Sequence, residues 1–403
     1  MKPLTIMIVA GDPSGDLAAA ELINELRRQS APVPPRFLGA GGPAMAAAGV
    51  NLRFELTRHS VIGVEILRRI LWFRHVLQDL TQWAMSEVPD VVIGVDYAGF
   101  NLRLAAALRR GADRRRGPFS NWRPRLVQFV SPQVWASRPG RARRMERTHD
   151  LLLSILPFEA DWYARRAPRL PVRFVGHPIV DRHAHSPAPF DVEPESGSGS
   201  TLVLLPGSRP GELQRHLPVM VPAAREAAKV SGCRIRMVLP REDLRPLALS
   251  WCNDPGELGI QVGGLDEVLR SATVALASTG TVTMECAWYG VPTVALYKTS
   301  RLTFAIGRRI VTVPHLAMPN LLAGSAIVPE FIQFQATSPA LAGAVLDLLG
   351  NRRLRNEMRA RLRTVARSLG PPGTASRAAR SILELASAPA GPDGKSPFAT
   401  SGN

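Results

Sequence analysis

Short, continuous apolar runs separated by helical stretches recur in two series along the chain, and no other feature narrows its fold so far. In the first series PLTIMIVA (3–10), RFLGA (36–40), VVIGV (91–95), RLVQFV (125–130), DLLLSI (150–155) and VRFV (172–175) read as strands. Helices are expected over Asp16–Arg28 and Asn101–Arg110. Runs so uniformly apolar are buried on both faces, the condition of a parallel sheet between helix layers. The pattern lapses over HAHSPAPFDVEPESGSGS (183–200), whose Pro, Gly and Ser content marks a linker. It restarts with TLVLLP (201–206), RIRMVL around 235–239, TVALA (273–277) and TVALY (293–297), with helices expected at 210–230, 241–250 and 281–289. Arginine-rich helices fill 338–386, and 386–403 reads as a disordered tail. At 403 residues one core would be oversized. The expectation is an α/β chain of two Rossmann-like parallel-sheet domains, 1–182 and 201–385, facing an interdomain cleft, with the last helices free to pack back on the first domain.

Charge bounds the partners. Fifty Lys and Arg against 33 Asp and Glu leave a net +17, which favours a polyanion such as anionic lipid or a phosphorylated substrate. A codon bias toward arginine would produce part of the same excess. With Phe, Trp and Tyr at 6%, the interleaved aromatics of a base-stacking surface are missing, so nucleic acid is not expected. Cys233, Cys252 and Cys286 lack metal-site spacing and read as free thiols of a reducing cytoplasm. The N-terminus runs from a short apolar strand into a Gly/Asp turn, unlike a secretory signal. No stretch reaches the roughly 18 apolar residues of a spanning helix.

In sheets of this kind ligands sit beyond the carboxyl ends of the strands, so the loops there are the candidate chemistry. AGDPSGD (10–16) offers Asp12, Ser14 and Asp16 on a turn into a helix; an anion site and a plain turn capped by Asp16 both fit it. In GVDYAGFN (94–101) Asp96 ends an apolar strand, where a carboxylate is costly unless paired or solvated. It reads either as a general base toward an acceptor hydroxyl or as a cap of the helix beginning near Asn101. LLPGSRPGE (204–212) places Ser208 and Arg209 at a helix start, where backbone amides and a guanidinium suit a diphosphate. ASTGTVTMECA (277–287) puts Ser278, Gly280 and Thr281 before a helix, with Glu285 one turn inside. That carboxylate fits the hydroxyls of a ribose, and equally a first-turn acid favoured by the helix dipole.

In this order the loops resemble the lipid-A-disaccharide synthase family of GT-B glycosyltransferases. The resemblance runs from about residue 4 to about residue 335 through AGDPSGD, GAGGPAM, SVIGVEIL, PDVVIGVDYAGFN, VSPQVWASR, LPFEADWY, FVGHPIVD, LLPGSR, ASTGTVTMECA and MPNLLAG…VPEFIQ. It implies an inverting transferase that joins UDP-2,3-diacylglucosamine to 2,3-diacylglucosamine 1-phosphate and releases UDP. It implies Asp96 as base, Arg209 at the leaving diphosphate, and Ser278, Gly280, Thr281 and Glu285 around the nucleotide. Asn320 falls on a loop expected to close over that nucleotide. Cytoplasmic residence at the inner membrane follows from the substrates, and a homodimer is compatible. The chain departs from the family pattern at Asp12, where Glu is usual, at Ser137, where Trp is usual, and in the Asp96 loop, which lacks the usual Pro and second acid. The spacing from Gly63 to Glu65 is one residue short, which weakens Glu65 as a site residue.

The chain has no D-x-D pair of the metal-dependent kind, so no metal and no cofactor are expected, UDP-sugar being the donor substrate. Residues 62–77 carry apolar bulk, including Ile66, Ile70, Trp72 and Phe73, beside Arg68, Arg69, Arg74 and His75. Such a helix suits an anionic interface, and an ordinary core-facing helix with a basic outer side fits the same pattern. Another UDP-sugar enzyme of the same fold and a non-catalytic relative remain the alternatives.

Overall fold

A computed structural model describes residues 3–57, 66–118, 120–184, 199–252 and 258–389. The chain forms two compact units, residues 1–182 with 370–403, and residues 183–369. The expected linker at 185–198 and the tail from 390 lie outside the described residues, as does Glu65.

The first unit is built on a seven-stranded parallel sheet in the order β3-β2-β1-β4-β5-β6-β7. Its strands are β1 (Thr5–Ala10), β2 (Arg36–Gly41), β3 (Asn51–Glu55), β4 (Val91–Val95), β5 (Arg125–Phe129), β6 (Leu151–Ser154) and β7 (Val172–Phe174). Alternate residues of β1 serve opposite faces, as the two-residue repeat of a strand requires. Ile6, Ile8 and Ala10 join the core under helix α1 (Pro13–Gln29). Met7 and Val9 join the core on the other face. There they meet Val76, Leu80 and Ala84 of α3 (Ile66–Glu87) and Phe100, Leu104 and Leu108 of α4 (Ala98–Arg115).

The C-terminal helix Thr374–Ser387 belongs to this first unit. Its Ala378, Ala379, Ile382 and Leu385 share the α1 core. Asp181 accepts from the backbone N–H of Gly373 and, at 2.9 Å, of Thr374, satisfying donors at the start of that helix. Arg377 answers from inside it, donating to the carbonyls of Val175, Pro371 and Pro372.

The second unit carries a six-stranded parallel sheet, β10-β9-β8-β11-β12-β13. Its strands are β8 (Thr201–Leu205), β9 (Arg234–Leu239), β10 (Ile260–Val262), β11 (Val274–Ser278), β12 (Thr293–Tyr297) and β13 (Glu330–Ile332). Strands β3, β10 and β13 were not expected from the sequence. They are three to five residues long, edge-placed and only partly buried, so no apolar run announces them.

In each sheet the strand order reverses at one point. In the first, β1 lies beside β4, with Ala10 paired to Val95. In the second, β8 lies beside β11, with Leu205 paired to Ala277. A crevice opens at such a reversal because adjacent connections leave in opposite directions. The four loops singled out from the sequence are the loops at these two reversals.

Candidate active site

In the first unit the loops after β1 and β4 emerge side by side. Asp12 takes extended backbone and caps α1, its Oδ1 accepting from Gly15 N at 2.7 Å and from Ser14 Oγ at 2.9 Å. Asp16 does not cap its own helix. It is buried, and its carboxylate accepts from the N–H groups of Gly42 (2.8 Å), Ala44 (2.9 Å) and Met45 (3.1 Å). It thereby caps the short helix α2 (Pro43–Ala47), whose Gly42 has no side chain to do so.

Asp96 and Tyr97 both adopt left-handed backbone, with φ of 47° and 41°. Two consecutive non-glycine residues there cost about 1–3 kcal/mol each, so the surroundings must hold them. The Asp96 N–H donates to Phe129 O at 2.7 Å. The Asp96 carbonyl accepts from Gln128 Nε2 at 2.9 Å and Asn101 Nδ2 at 3.0 Å. The Tyr97 ring stacks on Phe100 at 5.8 Å and meets Phe73 at 6.1 Å. Gly11 makes room for it, since a Cβ there would lie 2.2 Å from Tyr97 Cδ1.

The result is a carboxylate aimed outward from the strand tip. Asp96 reaches solvent as a residue, yet the protein crowding its carboxyl group raises the pKa above 3.8, and the negative charge of Asp12 raises it further. A hydrogen bond from the Tyr97 backbone opposes both. A Cβ built on Gly15 would stand 3.2 Å from Asp12 Oδ1 and 3.5 Å from Asp96 Cβ, so the two acids flank this glycine. Asn101, expected at the acceptor, is buried and bonds the backbone of Asp96; it positions the acid.

Two residues expected at a membrane face pack in part against the protein itself. Trp72 and Phe73 are half-buried against the β1–α3–α4 core, and Phe73 packs on Tyr97 and Phe100. An aromatic pair at the end of an amphipathic stretch finds more apolar area in that core than in water. The side chains of Ile66 and Ile70 lie outside the described residues, while Leu71 beside them is exposed.

A further acid sits deeper. Glu159 is fully buried, its Oε1 accepting from Trp135 Nε1 at 2.9 Å and its Oε2 from Leu156 N at 3.3 Å. Burial lifts its pKa to about 7 against those hydrogen bonds. Its motif was visible in the sequence as LPFEADWY, but nothing in the spacing distinguishes a buried Glu from a surface one.

In the second unit the loop after β8 turns at Gly207, whose φ of +122° is a glycine conformation, and enters the Pro210–Ser231 helix. Glu212 folds back over this helix start. Its Oε2 accepts from Ser208 N (2.9 Å) and Arg209 N (3.3 Å), and its Oε1 pairs with the Arg209 guanidinium at 3.1 Å. A carboxylate thus rests on amides suited to an anion, and the exposed Arg209 is held by a surface ion pair worth little on its own. Beneath the loop, buried His216 shares a hydrogen bond with Pro206 O at 2.7 Å and accepts from Lys298 N at 3.1 Å. Those contacts set Nδ1 as the protonated nitrogen, and burial, the largest influence, lowers the pKa. His216 ties this loop to the end of β12, a role no motif revealed.

The loop after β11 ends at Gly280, with φ +127° and ψ −158°, directly before the Thr281–Trp288 helix. Ser278 is buried at the strand end, and Thr281 is exposed at the helix start. Glu285 is buried one turn in, with Oε2 2.9 Å from His183 Nε2. On the other edge of the imidazole, Nδ1 lies 3.2 Å from Tyr289 Oη and 3.6 Å from Asp266 Oδ2. His183, Asp266 and Glu285 are near enough to be weighed as a metal centre. The two acids meet opposite ring nitrogens, however, which is the geometry of a hydrogen-bonded chain and not of ligands converging on one ion.

Asn320, expected on a loop over the nucleotide, is held by hydrogen bonds within its own unit. It lies in the Met318–Ala323 helix with no exposed surface. Its amide nitrogen donates to Val328 O (2.8 Å) and Glu330 Oε1 (2.6 Å), and its oxygen accepts from Ile327 N (2.7 Å) and Val328 N (2.9 Å). With every amide position used, it pins the approach to β13 and so shapes the loop that carries it.

The family model described as lipid-A-disaccharide synthetase matches residues 6–381. The chain is 35% identical to the lipid-A-disaccharide synthase of Azotobacter vinelandii, over 95% of this chain and 98% of that protein. It is 37% identical to that of Myxococcus xanthus, with the same two coverages, 95% and 98%. Among solved structures, MurG of Acinetobacter baumannii superposes with a TM-score of 0.59 at 14% identity, covering 95% of this chain and all (100%) of that one. A putative UDP-N-acetylglucosamine 2-epimerase of Listeria monocytogenes gives 0.58 at 16% identity, with 95% of each chain covered. These structures share the GT-B architecture of two parallel-sheet units.

Proposed function

This chain belongs to the lipid-A-disaccharide synthetase family, and we propose that it condenses UDP-2,3-diacylglucosamine with 2,3-diacylglucosamine 1-phosphate. The acceptor hydroxyl attacks the anomeric carbon of the donor, the bond to UDP breaks, and the hydroxyl proton passes to Asp96. One in-line displacement needs one base, and a carboxylate with a raised pKa is the better one at neutral pH. The observation that carries this reading is Asp96 itself, held outward at the β1/β4 reversal by Gln128, Asn101 and a strained backbone.

Negative charge grows on the departing diphosphate. The helix starts at Ser208–Arg209 and Gly280–Thr281 supply oriented amides, and the exposed Arg209 supplies a mobile positive charge. The Glu212 carboxylate rests on the amides of the first of these starts, so a diphosphate bound there displaces it. Glu285 receives the ribose hydroxyls. These groups serve without a metal ion. No described helix is long and apolar enough to cross a membrane, and the lipid-borne substrates are met by peripheral attachment at the inner face of the membrane.

The test is mass spectrometry of the product formed from the two diacylated substrates in excess chelator. A disaccharide 1-phosphate with stoichiometric UDP supports the reading. An epimerised sugar, or no turnover until Mg²⁺ or Mn²⁺ is restored, contradicts the transfer or its metal independence respectively.

A further inference from the structure

The Arg301–Ile310 helix buries none of its residues. Leu302, Ile306 and Ile310 recur every four positions and so share one side of it. That side faces outward, the three residues being 71%, 51% and 36% exposed. Phe334, just past β13, is 69% exposed and meets Phe304 of the helix edge-on at 5.7 Å. A surface helix normally turns such a stripe toward the core, and an outward cluster of this size marks a surface that is covered in use.

The charges beside the stripe say what covers it. Arg301, Arg308 and Arg309 stand in the helix, and residues 298–315 contain no Asp or Glu. The first two are seven positions apart, about two turns, and therefore line the same flank. We infer that this helix lies in the plane of an anionic lipid surface, with its apolar stripe among the acyl chains and its arginines at the phosphates. Ten residues span about 15 Å, too short to cross a bilayer and suited to lying in its interface. A second copy of the chain fits less well, because a two-fold contact sets this patch against itself and brings arginines together with no acid to separate them. The inference rests on the proposed lipid-borne substrates and locates a membrane contact on the second unit.

The experiment is co-sedimentation with vesicles of phosphatidylethanolamine and phosphatidylglycerol, against vesicles of phosphatidylcholine alone. The parent is expected to prefer the anionic vesicles and to lose binding as salt screens the charge. The L302S/I306S/I310S variant is expected to partition at least tenfold more weakly, and R301Q/R308Q/R309Q to lose the anionic preference. Ile306→Trp, at an exposed position that tolerates change, is expected to gain a blue-shifted emission component quenched by brominated lipid. Parental binding by the serine variant, or an unshifted Ile306→Trp emission, overturns the inference. So does a change in mass by sedimentation equilibrium with vesicle binding intact, which assigns the face to a dimer. Turnover in detergent micelles is expected to survive in every variant. If the parent binds vesicles through this helix but makes no disaccharide in micelles, the function fails and the lipid contact stands.

Discussion

His183 Nε2 stands 2.9 Å from Glu285 Oε2, and both residues are buried. Tyr289 Oη at 3.2 Å from Nδ1 fixes the ring from its other edge. A carboxylate proposed to hold the nucleotide ribose is therefore aimed by an imidazole 102 positions away in sequence.

This pairing makes His183 a positioning residue. His183→Asn keeps a group near Nδ1 and loses the one near Nε2, whereas His183→Gln does the reverse. A hydrogen bond to a charged group is worth about 1.5–3 kcal/mol. The Asn variant is expected to raise the KM for UDP-sugar by about tenfold to a hundredfold with a smaller change in kcat, and the Gln variant to recover most of the loss. Steady-state kinetics and UDP calorimetry check it. Equal damage by the two variants would point to a packing role alone.

Asp96 must be ionised to accept a proton. Crowding and the neighbouring charge of Asp12 raise its pKa above 3.8, so kcat/KM is expected to fall on the acid side at a pH above that of an ordinary aspartate. Asp12→Asn keeps the helix cap and removes the charge. It is expected to move the acid limb to lower pH, read from the pH profile of kcat/KM.

The four loops were legible as strand-end loops, since an Asp closes the apolar run VVIGV and glycines precede two helices. That they fall at the two strand reversals depends on the order of all the strands, which no single loop encodes. The hydrogen bonds of Asn320 were not legible: its partners are backbone groups seven and eight residues onward and the Glu330 carboxylate ten onward, and no motif shows that fold-back. The half-buried packing of Trp72 and Phe73 was not legible for a related reason, since an amphipathic pattern does not say how much of its apolar side the core takes. The Arg301–Ile310 helix has the same kind of pattern with the opposite outcome, its apolar stripe left outside. Glu212 and His216 act through contacts that only the folded loop creates.

Glu159 links stability to pH. Its pKa rises from 4.5 to about 7 on folding, so the folded chain holds this proton over a window where the unfolded chain has lost it. The contribution is fully present below 4.5 and is lost as pH rises through about 7. At about 1.4 kcal/mol per pH unit of displacement, the effect is at most about 3–4 kcal/mol. Urea unfolding at pH 5 to 8 is expected to show declining stability in the parent and a flatter response in Glu159→Gln.

Arg109 and Asp150 form a buried ion pair, with Arg109 also donating to Thr148 O (2.8 Å) and Pro124 O (3.0 Å). Removing one partner strands the other charge, at a cost of about 3–5 kcal/mol. Arg109→Ala is expected to lower the unfolding free energy by that amount, measured by denaturant titration, while leaving Asp96 in place.

The most direct test is single-turnover glycosyl transfer by Asp96→Asn, with folding verified by the unfolding midpoint. The substitution preserves shape and the backbone contacts to Gln128 and Asn101 while removing the basic carboxylate. Transfer is expected to slow by about 10²–10⁴-fold, the usual contribution of a positioned acid–base group, with UDP affinity unchanged. A folded variant that transfers sugar at close to the parental rate would contradict a proton-accepting role for Asp96.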